Sequence, residues 1–199
     1  MHLGKALEEK DWEAVRDDLN RRPIEGLDGS QDKKEILEML NKYGIIYKEN
    51  IGENKNEQGK VSIEIWGSGQ PLREFLWSEE MAEACVFLME NRNFNDIISL
   101  RGLPANGLPE IRNTHINIGT GRDISIAHLA EITKTIVGLS GSYYFNKDKP
   151  DGALRKLTDV SKLNALGWKY EVELDEGIYR LYKWYKHSIS SKLDAKLKA

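Results

Sequence analysis

Hydrophobic and polar positions divide the chain into a helical first part and a longer part in which strands and helices alternate. Two amphipathic patterns in the first part predict helices, with Asp11 and Ser30 as N-caps and Gly44 ending the second helix. A polar loop is predicted over residues 49–60. The pattern therefore predicts a helical lobe over residues 1–60.

A strand pattern opens the second part. Val61, Ile63 and Ile65 alternate with polar residues, so the strand should bury these three side chains and turn Trp66 to its other face. The later pattern predicts a helix capped by Ser78, a loop rich in Gly and Pro over 100–113, a strand over 115–118, a helix over 126–137, a strand over 143–145, a helix from Asp159 or Ser161 to Gly167, and a helix over 175–188. This alternation predicts an α/β part over residues 61–190 with some parallel pairing, followed by a tail over 191–199.

Composition and charge exclude several classes of protein. The chain has 29 basic and 32 acidic residues, and the basic residues form no long stripe, which argues against a nucleic-acid partner. No apolar stretch approaches the roughly 20 residues of a membrane helix, and the first residues carry no hydrophobic signal region. A single cysteine excludes an internal disulfide. We therefore expect a cytoplasmic protein that contacts no membrane.

Metal and thiol chemistry find little support. The four histidines are far apart, and none stands at ligand spacing from another or from Cys85, so no metal site is predicted. Cys85 shares an apolar helical pattern with Met81, Ala84, Leu88 and Met89. We therefore expect Cys85 to lie in the core rather than to act as a nucleophile.

The segment SIEIWGSGQPLREFLW places candidate ligand-binding groups at the end of a strand. Trp66 is followed by Gly67 and Gly69, where backbone can approach a ligand closely. The planar fork of Arg73 suits a phosphate held by two hydrogen bonds. A purely structural alternative is a tryptophan that closes the edge of the core and an arginine paired with Glu74.

The turn in INIGTGRDIS resembles the start of a dinucleotide-binding motif, since a predicted strand precedes it and a helix follows. Ile124 replaces the third glycine, and Asp123 would repel a pyrophosphate at the start of the helix. No G-x-x-x-x-G-K-[ST] loop is present in the sequence. We therefore expect no cofactor phosphate at this turn.

A second charged segment follows the strand predicted over 143–145. Asp148, Lys149, Asp151, Arg155 and Lys156 surround a predicted turn at Pro150 and Gly152 and can present charges of both signs to a polar ligand. The alternative is a surface turn with local ion pairs, each worth less than about 1 kcal/mol.

Three segments together resemble the GDP-L-fucose synthase family, extended short-chain dehydrogenases/reductases that epimerise and then reduce GDP-4-keto-6-deoxy-mannose with NADPH. They read IEIWGSGQPLREFLW, HINIGTGRDISI and KPDGALRKLTDVSKLNALGW, and the resemblance extends from about Val61 to Tyr185. It implies the C-terminal part of an NAD(P)-binding Rossmann-type α/β enzyme, with residues 1–60 as a helical insertion.

The resemblance also implies a set of substrate-binding residues. The matching tryptophan, arginine, aspartate and lysine of the family contact the GDP-sugar, which implies Trp66, Arg73, Asp151 and Lys156 in this chain. The complete family enzyme binds NADP, whereas we expect no cofactor to bind this chain alone. Family members are homodimers, and the oligomeric state of this chain stays open.

This chain departs from the family in the residues that perform the reaction. Trp77 to Glu80 replace a frequent His-Val-Asp-Asp run. The family's phosphate-binding glycine loop, its Ser and Tyr-x-x-x-Lys group and its epimerase Cys and His have no counterpart, and we expect them upstream of Met1. Tyr143 and Lys147 match Tyr-x-x-x-Lys literally, but the pattern predicts a strand and a turn there rather than the helix that this chemistry needs.

The sequence thus favours the substrate-binding half of a GDP-L-fucose synthase, inactive alone and without catalytic, cofactor-binding or metal-binding residues. One alternative is a non-enzymatic module that binds a nucleotide sugar. Another is a partner-binding module that uses the amphipathic helices over residues 11–43.

Overall fold

The computed structural model describes residues 1–48, 60–100 and 113–196. These residues belong to two compact units. Unit 1 comprises Met1–Pro71, Ile126–Gly152 and Ile178–Ala199, and unit 2 comprises Leu72–Ser125 and Ala153–Gly177. The loops predicted over 49–60 and 100–113 lie almost wholly outside the described residues.

From the second strand onward the described part mixes strands and helices along the chain, which agrees with the predicted α/β character. The helices are α1 His2–Glu8, α2 Trp12–Arg21, α3 Lys33–Lys42, α4 Ser78–Asn91, α5 Phe94–Ser99, α6 Ile126–Val137, α7 Ser161–Ala165 and α8 Leu174–Lys196. The strands are β1 Ile45–Lys48, β2 Lys60–Trp66, β3 Leu72–Glu74, β4 Asp123–Ser125, β5 Ser142–Asn146 and β6 Arg155–Lys156. The predicted tail is helical as far as Lys196, and residues 197–199 lie outside the described part.

The first helices of unit 1 begin at carboxylate caps. Asp11 accepts a hydrogen bond from Ala14 N and caps α2, as predicted. The N-cap of α3 is Asp32, so the prediction of Ser30 is wrong. Asp32 and Glu35 form a capping box that satisfies two backbone N–H groups at once, which Ser30 cannot do from its position. Gly44, with φ of +78°, follows the end of α3 as predicted.

Unit 1 contains a mixed three-stranded sheet in the order β1-β2-β5. β2 pairs antiparallel with β1 and parallel with β5, in a register that sets Ile63 opposite Tyr143 and Trp66 opposite Asn146. The parallel pair confirms the predicted α/β character. Val61 is buried and Trp66 is exposed, as expected, but Ile63 and Ile65 are only partly buried, like the polar residues between them, so the predicted alternation holds only at the ends of β2.

The helices of the predicted lobe share one core with this sheet. Buried side chains from α1, α2, α3, β2 and two connecting segments form a single cluster: Ala6, Leu7, Val15, Leu19, Leu27, Ile36, Leu40, Val61 and Leu139. Among residues 1–48, Tyr43 is the exposed large hydrophobic side chain. The domain boundary predicted after residue 60 therefore lies inside unit 1, at the first residues of β2.

Unit 2 contains a second, shorter sheet in the order β4-β3-β6. β3 pairs antiparallel with β4 and parallel with β6. Ser78 is the first residue of α4 rather than its cap; the N-cap is Trp77, which makes no capping side-chain bond.

Residues 115–118 are not a strand, and that prediction is wrong. Lys162 Nζ donates to the carbonyls of Asn113 and His115, and Asn117 Nδ2 donates to the carbonyl of Asp159. Side-chain bonds therefore serve this segment where a ladder was expected. No described helix is long and apolar enough to cross a membrane.

Cys85 is exposed, which corrects the expectation that it belongs to the core. The buried line of α4 runs through Glu80 and Ala84, whereas Met81, Cys85 and Met89 follow the neighbouring line and face away from it. Residues four apart lie on the same face of a helix. A shift of one position along the sequence therefore moves a residue from the buried face to an exposed one. Glu80 takes the buried position because its Oε1 accepts hydrogen bonds from the backbone N–H groups of residues 171 and 172.

We expect Leu40→Ala to lower the free energy of unfolding by about 2–5 kcal/mol, because Leu40 is fully buried in the shared core. Glu38→Ala on the same helix is the matched control; its side chain is 69% exposed and its ion pair with Lys34 is long, so a change below about 0.5 kcal/mol is expected. Urea unfolding of each variant measures both values. Equal losses for the two variants would contradict a core that includes α3.

We expect Asp32→Ala to cost about 1 kcal/mol of stability, because it removes the side-chain acceptor at the start of α3. Ser30→Ala should cost less than about 0.5 kcal/mol, since Ser30 lies before the cap. Thermal unfolding followed by circular dichroism compares the two. A larger loss for Ser30→Ala would restore the cap predicted from the sequence.

Candidate functional site

The four residues that the family resemblance implies divide equally between the two units. Trp66 and Asp151 belong to unit 1, and Arg73 and Lys156 belong to unit 2. Each pair is described within its own unit.

Trp66 is the last residue of β2, and 67% of it is exposed to solvent. The alternative in which this ring closes the edge of the core is therefore wrong. Lys149 Nζ lies 5.1 Å from the centroid of the Trp66 ring. A cation in this position is attracted to the face of the indole, by about 0.5–1 kcal/mol at an exposed site. Unit 1 thus presents an accessible flat ring with a positive charge beside it.

Asp151 holds the turn that follows Trp66. Its Oδ1 accepts from Ser68 N at 2.8 Å, and its Oδ2 accepts from the Ser68 hydroxyl at 2.6 Å. The hydroxyl hydrogen bond first, and the backbone one second, lower the pKa of Asp151 below its ordinary value. Asp151 therefore carries a negative charge, and each oxygen keeps a further lone pair for a ligand.

The glycines of this turn make room for the protein's own groups. A Cβ at Gly67, where φ is +83°, would clash with Asp151 Oδ1. A Cβ at Gly69 would lie 2.5 Å from a ring carbon of Phe145. The backbone at Gly67 and Gly69 does approach other groups closely, as predicted. Those groups are the protein's own Asp151 and Phe145 rather than a ligand.

A polar cluster lies on the same face of β2 as Trp66. Glu64, two residues before the ring, accepts from the Tyr144 hydroxyl and from Asn146 Nδ2, each at 2.8 Å. The bond from Asn146, followed by that from Tyr144, lowers the pKa of Glu64. These bonds cross the pairing of β2 with β5 and hold the surface on which Trp66 stands.

Arg73 and Lys156 are register partners in unit 2, on the adjacent parallel strands β3 and β6. Arg73 Nη1 donates to the carbonyls of Leu72 at 2.6 Å and Ala153 at 2.7 Å. Neither Arg73 nor Lys156 forms an ion pair with any residue that the structure describes. The unit thus brings together two cations that are far apart in the sequence, and Nε and Nη2 of Arg73 have no acceptor within the described part.

Glu74 does not pair with Arg73, so that structural alternative is also wrong. Its Oε1 accepts from Thr120 N and Gly121 N, both at 2.6 Å, and its Oε2 accepts from Thr158 N at 3.0 Å and from the Thr158 hydroxyl. Partial burial alone would raise the pKa of Glu74, but the bonds from Thr158, Gly121 and Thr120 outweigh it and lower the pKa.

The glycine turn that resembles a dinucleotide-binding motif is therefore filled by an internal carboxylate. Its N–H groups point at Glu74, as such turns do toward a phosphate. Asp123, expected to repel a pyrophosphate, accepts from Arg155 Nε at 2.6 Å. The residues of this turn do not fit a cofactor phosphate.

A cavity of about 440 Å³ lies within unit 2 beside Arg73. Phe75 and Tyr170 contribute aromatic rings to it, and Arg122 contributes a second cation. Arg122 lies 5.8 Å from the Tyr170 ring centroid and 3.3 Å from a carboxylate oxygen of Glu173. Asp123 and Glu173 also line the cavity, so its two arginines stand beside two carboxylates and flat apolar surface, a mixed lining that suits a polar ligand carrying a ring.

Tyr143 and Lys147 do not form a reductase pair. Tyr143 lies on β5 and Lys147 in the turn after it, as the pattern predicted. The Tyr143 hydroxyl donates to Glu131 at 2.7 Å, and this bond raises the pKa of Tyr143, the opposite of what a proton-donating tyrosine needs. Within the described ranges, no group of three or more His, Cys, Asp or Glu side chains is placed to hold a metal ion.

Reasoning from the sequence missed the side chains that support the candidate residues. Glu64, Ser68 and Glu74 each bond a segment remote in sequence or order a turn beside a candidate residue. The only local signal of these supporting side chains was a pair of glycine turns, and the sequence does not show what packs against the glycines. Glycines packed against a carboxylate look the same in sequence as glycines packed against a phosphate.

Comparison with known proteins identifies the family to which these residues belong. Residues 47–102 match the model of the NAD dependent epimerase/dehydratase family. The probable GDP-L-fucose synthase 1 of Oryza sativa subsp. japonica is 39% identical over 131 residues, which are 66% of this chain and 34% of that protein.

Two solved structures from Campylobacter jejuni share the fold over most of this chain. A GDP-6-OMe-4-keto-L-xylo-heptose reductase has a TM-score of 0.74 at 37% identity, with 94% of this chain and 45% of that chain covered. MlghC, a GDP-mannoheptose C4 reductase with NADP bound, has a TM-score of 0.68 at 35% identity, with 93% and 44% covered.

The mixed α/β fold therefore matches part of the structures of such enzymes, and the matched region spans about a third of the length of the curated relatives. On sequence and fold together, this chain belongs to the GDP-L-fucose synthase-like extended short-chain dehydrogenases/reductases of the NAD dependent epimerase/dehydratase family, of which it represents a part.

Proposed function

We propose that this chain is the substrate-binding part of a GDP-L-fucose synthase-like enzyme and that its ligand is a GDP-sugar. It corresponds in this proposal to the C-terminal part of the Rossmann-type enzyme, with residues 1–60 as a helical insertion. Trp66, Arg73, Asp151 and Lys156 contact the ligand. The relatives named above act on GDP-sugars by their own descriptions, which supports the class of ligand.

The observation that carries the proposal is the pairing of Arg73 with Lys156 on adjacent strands. The diphosphate of a nucleoside diphosphate or of its sugar ester carries at least two negative charges, one or more on each phosphate. Arg73 offers the planar donors Nε and Nη2 to one phosphate, and Lys156 offers a mobile ammonium to the other. Two unpaired cations in register are otherwise unfavourable, because like charges directly opposite each other destabilise a sheet.

Trp66 and Asp151 supply recognition of the remaining polar and ring-shaped parts of the ligand. An exposed indole stacks on a flat ring, and such contacts contribute about 1–3 kcal/mol for a base. Asp151, ionised and fixed by Ser68, accepts hydrogen bonds from hydroxyl or amino groups.

The reaction itself lies outside the residues of this chain. In the family that it resembles, the substrate is epimerised beside its keto group and reduced by hydride from NADP in its reduced form. The glycine turn of unit 2 is filled by Glu74 and does not fit the cofactor, so no step through NADP is assigned to this chain. We propose that the chain binds the GDP-sugar and is inactive alone, in a homodimeric enzyme when complete.

A non-enzymatic module that binds the same ligand is the second candidate, and it rests on the same four residues. The partner-binding alternative required apolar helix faces that are free to bind a partner. The apolar faces of α2 and α3 are instead buried within unit 1, so this alternative has no support. A turnover assay with the GDP-sugar and NADPH, on this chain combined with the separate upstream part of a family enzyme, separates the first two, because only the first candidate predicts turnover by the combination. Any turnover by this chain alone would contradict both.

We expect this chain to bind GDP, and Lys156→Ala to weaken binding by roughly 1.5–3 kcal/mol, because a charged hydrogen bond to phosphate is lost. Lys34→Ala is the matched control, since it removes one positive charge from an 84% exposed lysine of α3. Isothermal calorimetry measures each affinity. Equal losses for both variants would indicate only a general charge effect, and no binding of GDP would sink the proposal.

We expect GDP to quench tryptophan fluorescence through contact with Trp66, so that Trp66→Phe abolishes most of the change in signal. Trp184→Phe is the control, because Trp184 on α8 is 64% exposed, close to the 67% of Trp66. Titration of GDP into each variant reports the amplitude and the affinity. Quenching that survives in Trp66→Phe and disappears in Trp184→Phe would place the ligand elsewhere.

A further inference from the structure

We propose that Glu74 is a positioning residue that holds Arg73 and Lys156 side by side for a diphosphate. The inference rests on the proposed function in one respect, that these two cations bind phosphate. Its structural part stands on unit 2 alone. Glu74 does not touch the ligand in this proposal; it acts through the strands that carry the cations.

Glu74 stands at the point where β3 ends and two other segments of unit 2 reach it. It follows Arg73 directly, and its carboxylate receives the backbone of Thr158, two residues after Lys156. The same carboxylate receives the backbone N–H groups of Thr120 and Gly121. One side chain therefore joins the strand of Arg73, the segment of Lys156 and the glycine turn.

The strand that carries Lys156 needs such support because it is very short. β6 consists of Arg155 and Lys156, both exposed, and it pairs with β3 through only two register positions. Strands of two residues have few ladder bonds, and a pair of strands is marginal in water without further packing. The contact of Glu74 with Thr158 continues the attachment of this segment to β3 beyond the end of the ladder.

The chemistry of the contact requires a carboxylate. Five groups donate to Glu74: the backbone N–H groups of Thr120, Gly121 and Thr158, and the hydroxyls of Thr120 and Thr158. A glutamate accepts through both oxygens, whereas a glutamine would turn an NH₂ group toward at least one of these donors. Thr120 and Gly121 are partly buried, so their N–H groups would lose part of their hydration without compensation.

The glycine turn fits the same interpretation. A Cβ at Gly119 would lie 2.5 Å from Glu74 Oε1, and it would also clash with the Thr158 hydroxyl. A side chain at this position would push the carboxylate out of reach of its donors. The motif that resembled a dinucleotide-binding turn is thereby explained by the attachment of Glu74.

The test compares Glu74→Gln with the unaltered chain by two independent measurements. Hydrogen exchange reports the backbone amides of Thr120, Lys156 and Thr158 without any ligand. Calorimetry compares GDP with guanosine, which lacks the phosphates. Glu38→Gln, a change of the same kind at the exposed position on α3, is the matched control.

We expect Glu74→Gln to speed exchange at these amides by about tenfold or more, since a charged hydrogen bond is worth at least that factor. Glu74→Gln should weaken the binding of GDP by about tenfold and leave the affinity for guanosine unchanged, because only the binding of the diphosphate depends on the placement of the two cations. A general loss of folding would weaken the binding of both ligands to the same extent. Thr158→Val, which removes one hydroxyl donor and keeps the backbone bond, should give a smaller change in the same direction if Glu74→Gln fails to fold.

The outcomes separate this inference from the proposed function. If the unaltered chain and Glu74→Gln bind GDP equally well, the inference is overturned and the proposed function stands. Unaltered chain that binds no GDP overturns the function and the ligand role of Glu74, while the exchange rates still decide its structural part. Unchanged exchange at Lys156 and Thr158 in Glu74→Gln overturns the positioning role in either case.

Discussion

Carboxylate side chains that accept hydrogen bonds from backbone N–H groups connect the irregular segments in both units. Short strands leave many backbone donors without a ladder partner, and buried donors must find an acceptor. Glu8 accepts from Ser140 N in unit 1, while Glu74 and Glu80 receive segments of unit 2. Asp151 does the same for the turn after Trp66. Each bond joins residues far apart in the chain, so acidic residues as well as the apolar core hold each unit together.

These carboxylates also determine what the candidate residues can do. Glu74 is occupied by the protein's own donors, whereas Asp151 is held by Ser68 and keeps a further lone pair on each oxygen. The groups available to a ligand are therefore Trp66, Lys149 and Asp151 in unit 1, and Arg73 and Lys156 in unit 2. In unit 2 the carboxylate of Glu74 serves as an internal support, while Arg73 and Lys156 form no ion pair with any described residue, as a site for a phosphorylated ligand requires.

The parts of the fold that could be predicted from the sequence are those with a local periodic signal. The apolar spacing predicts α6 and the alternation predicts β2, and both elements are confirmed, although along β2 only Val61 of the three apolar residues is fully buried. Cys85 shows the limit of that signal, because apolar residues on two neighbouring lines of α4 look alike and only packing decides which is buried. Residues 115–118 have the composition of a strand, yet the His115 carbonyl accepts from the Lys162 side chain and the Asn117 side chain donates to the Asp159 carbonyl, so this segment is held by side-chain bonds rather than by a ladder.

The candidate site was predictable as residue types but not as geometry. The pattern placed Trp66 outward correctly, and the resemblance selected Arg73 and Lys156, but no local rule sets two distant residues opposite each other across a strand pair. The structural alternative paired Glu74 with Arg73, because neighbours in sequence are the partners that the sequence reveals.

The close contact between Gly119 and Glu74 has a consequence for the history of this sequence. A larger residue at position 119 is excluded while the carboxylate is present, and a shorter residue at position 74 leaves the turn without its acceptor. A side chain at position 119 would meet the Thr158 hydroxyl as well. The shape of the glycine turn therefore depends on the protein's own carboxylate and hydroxyl and needs no ligand to explain it.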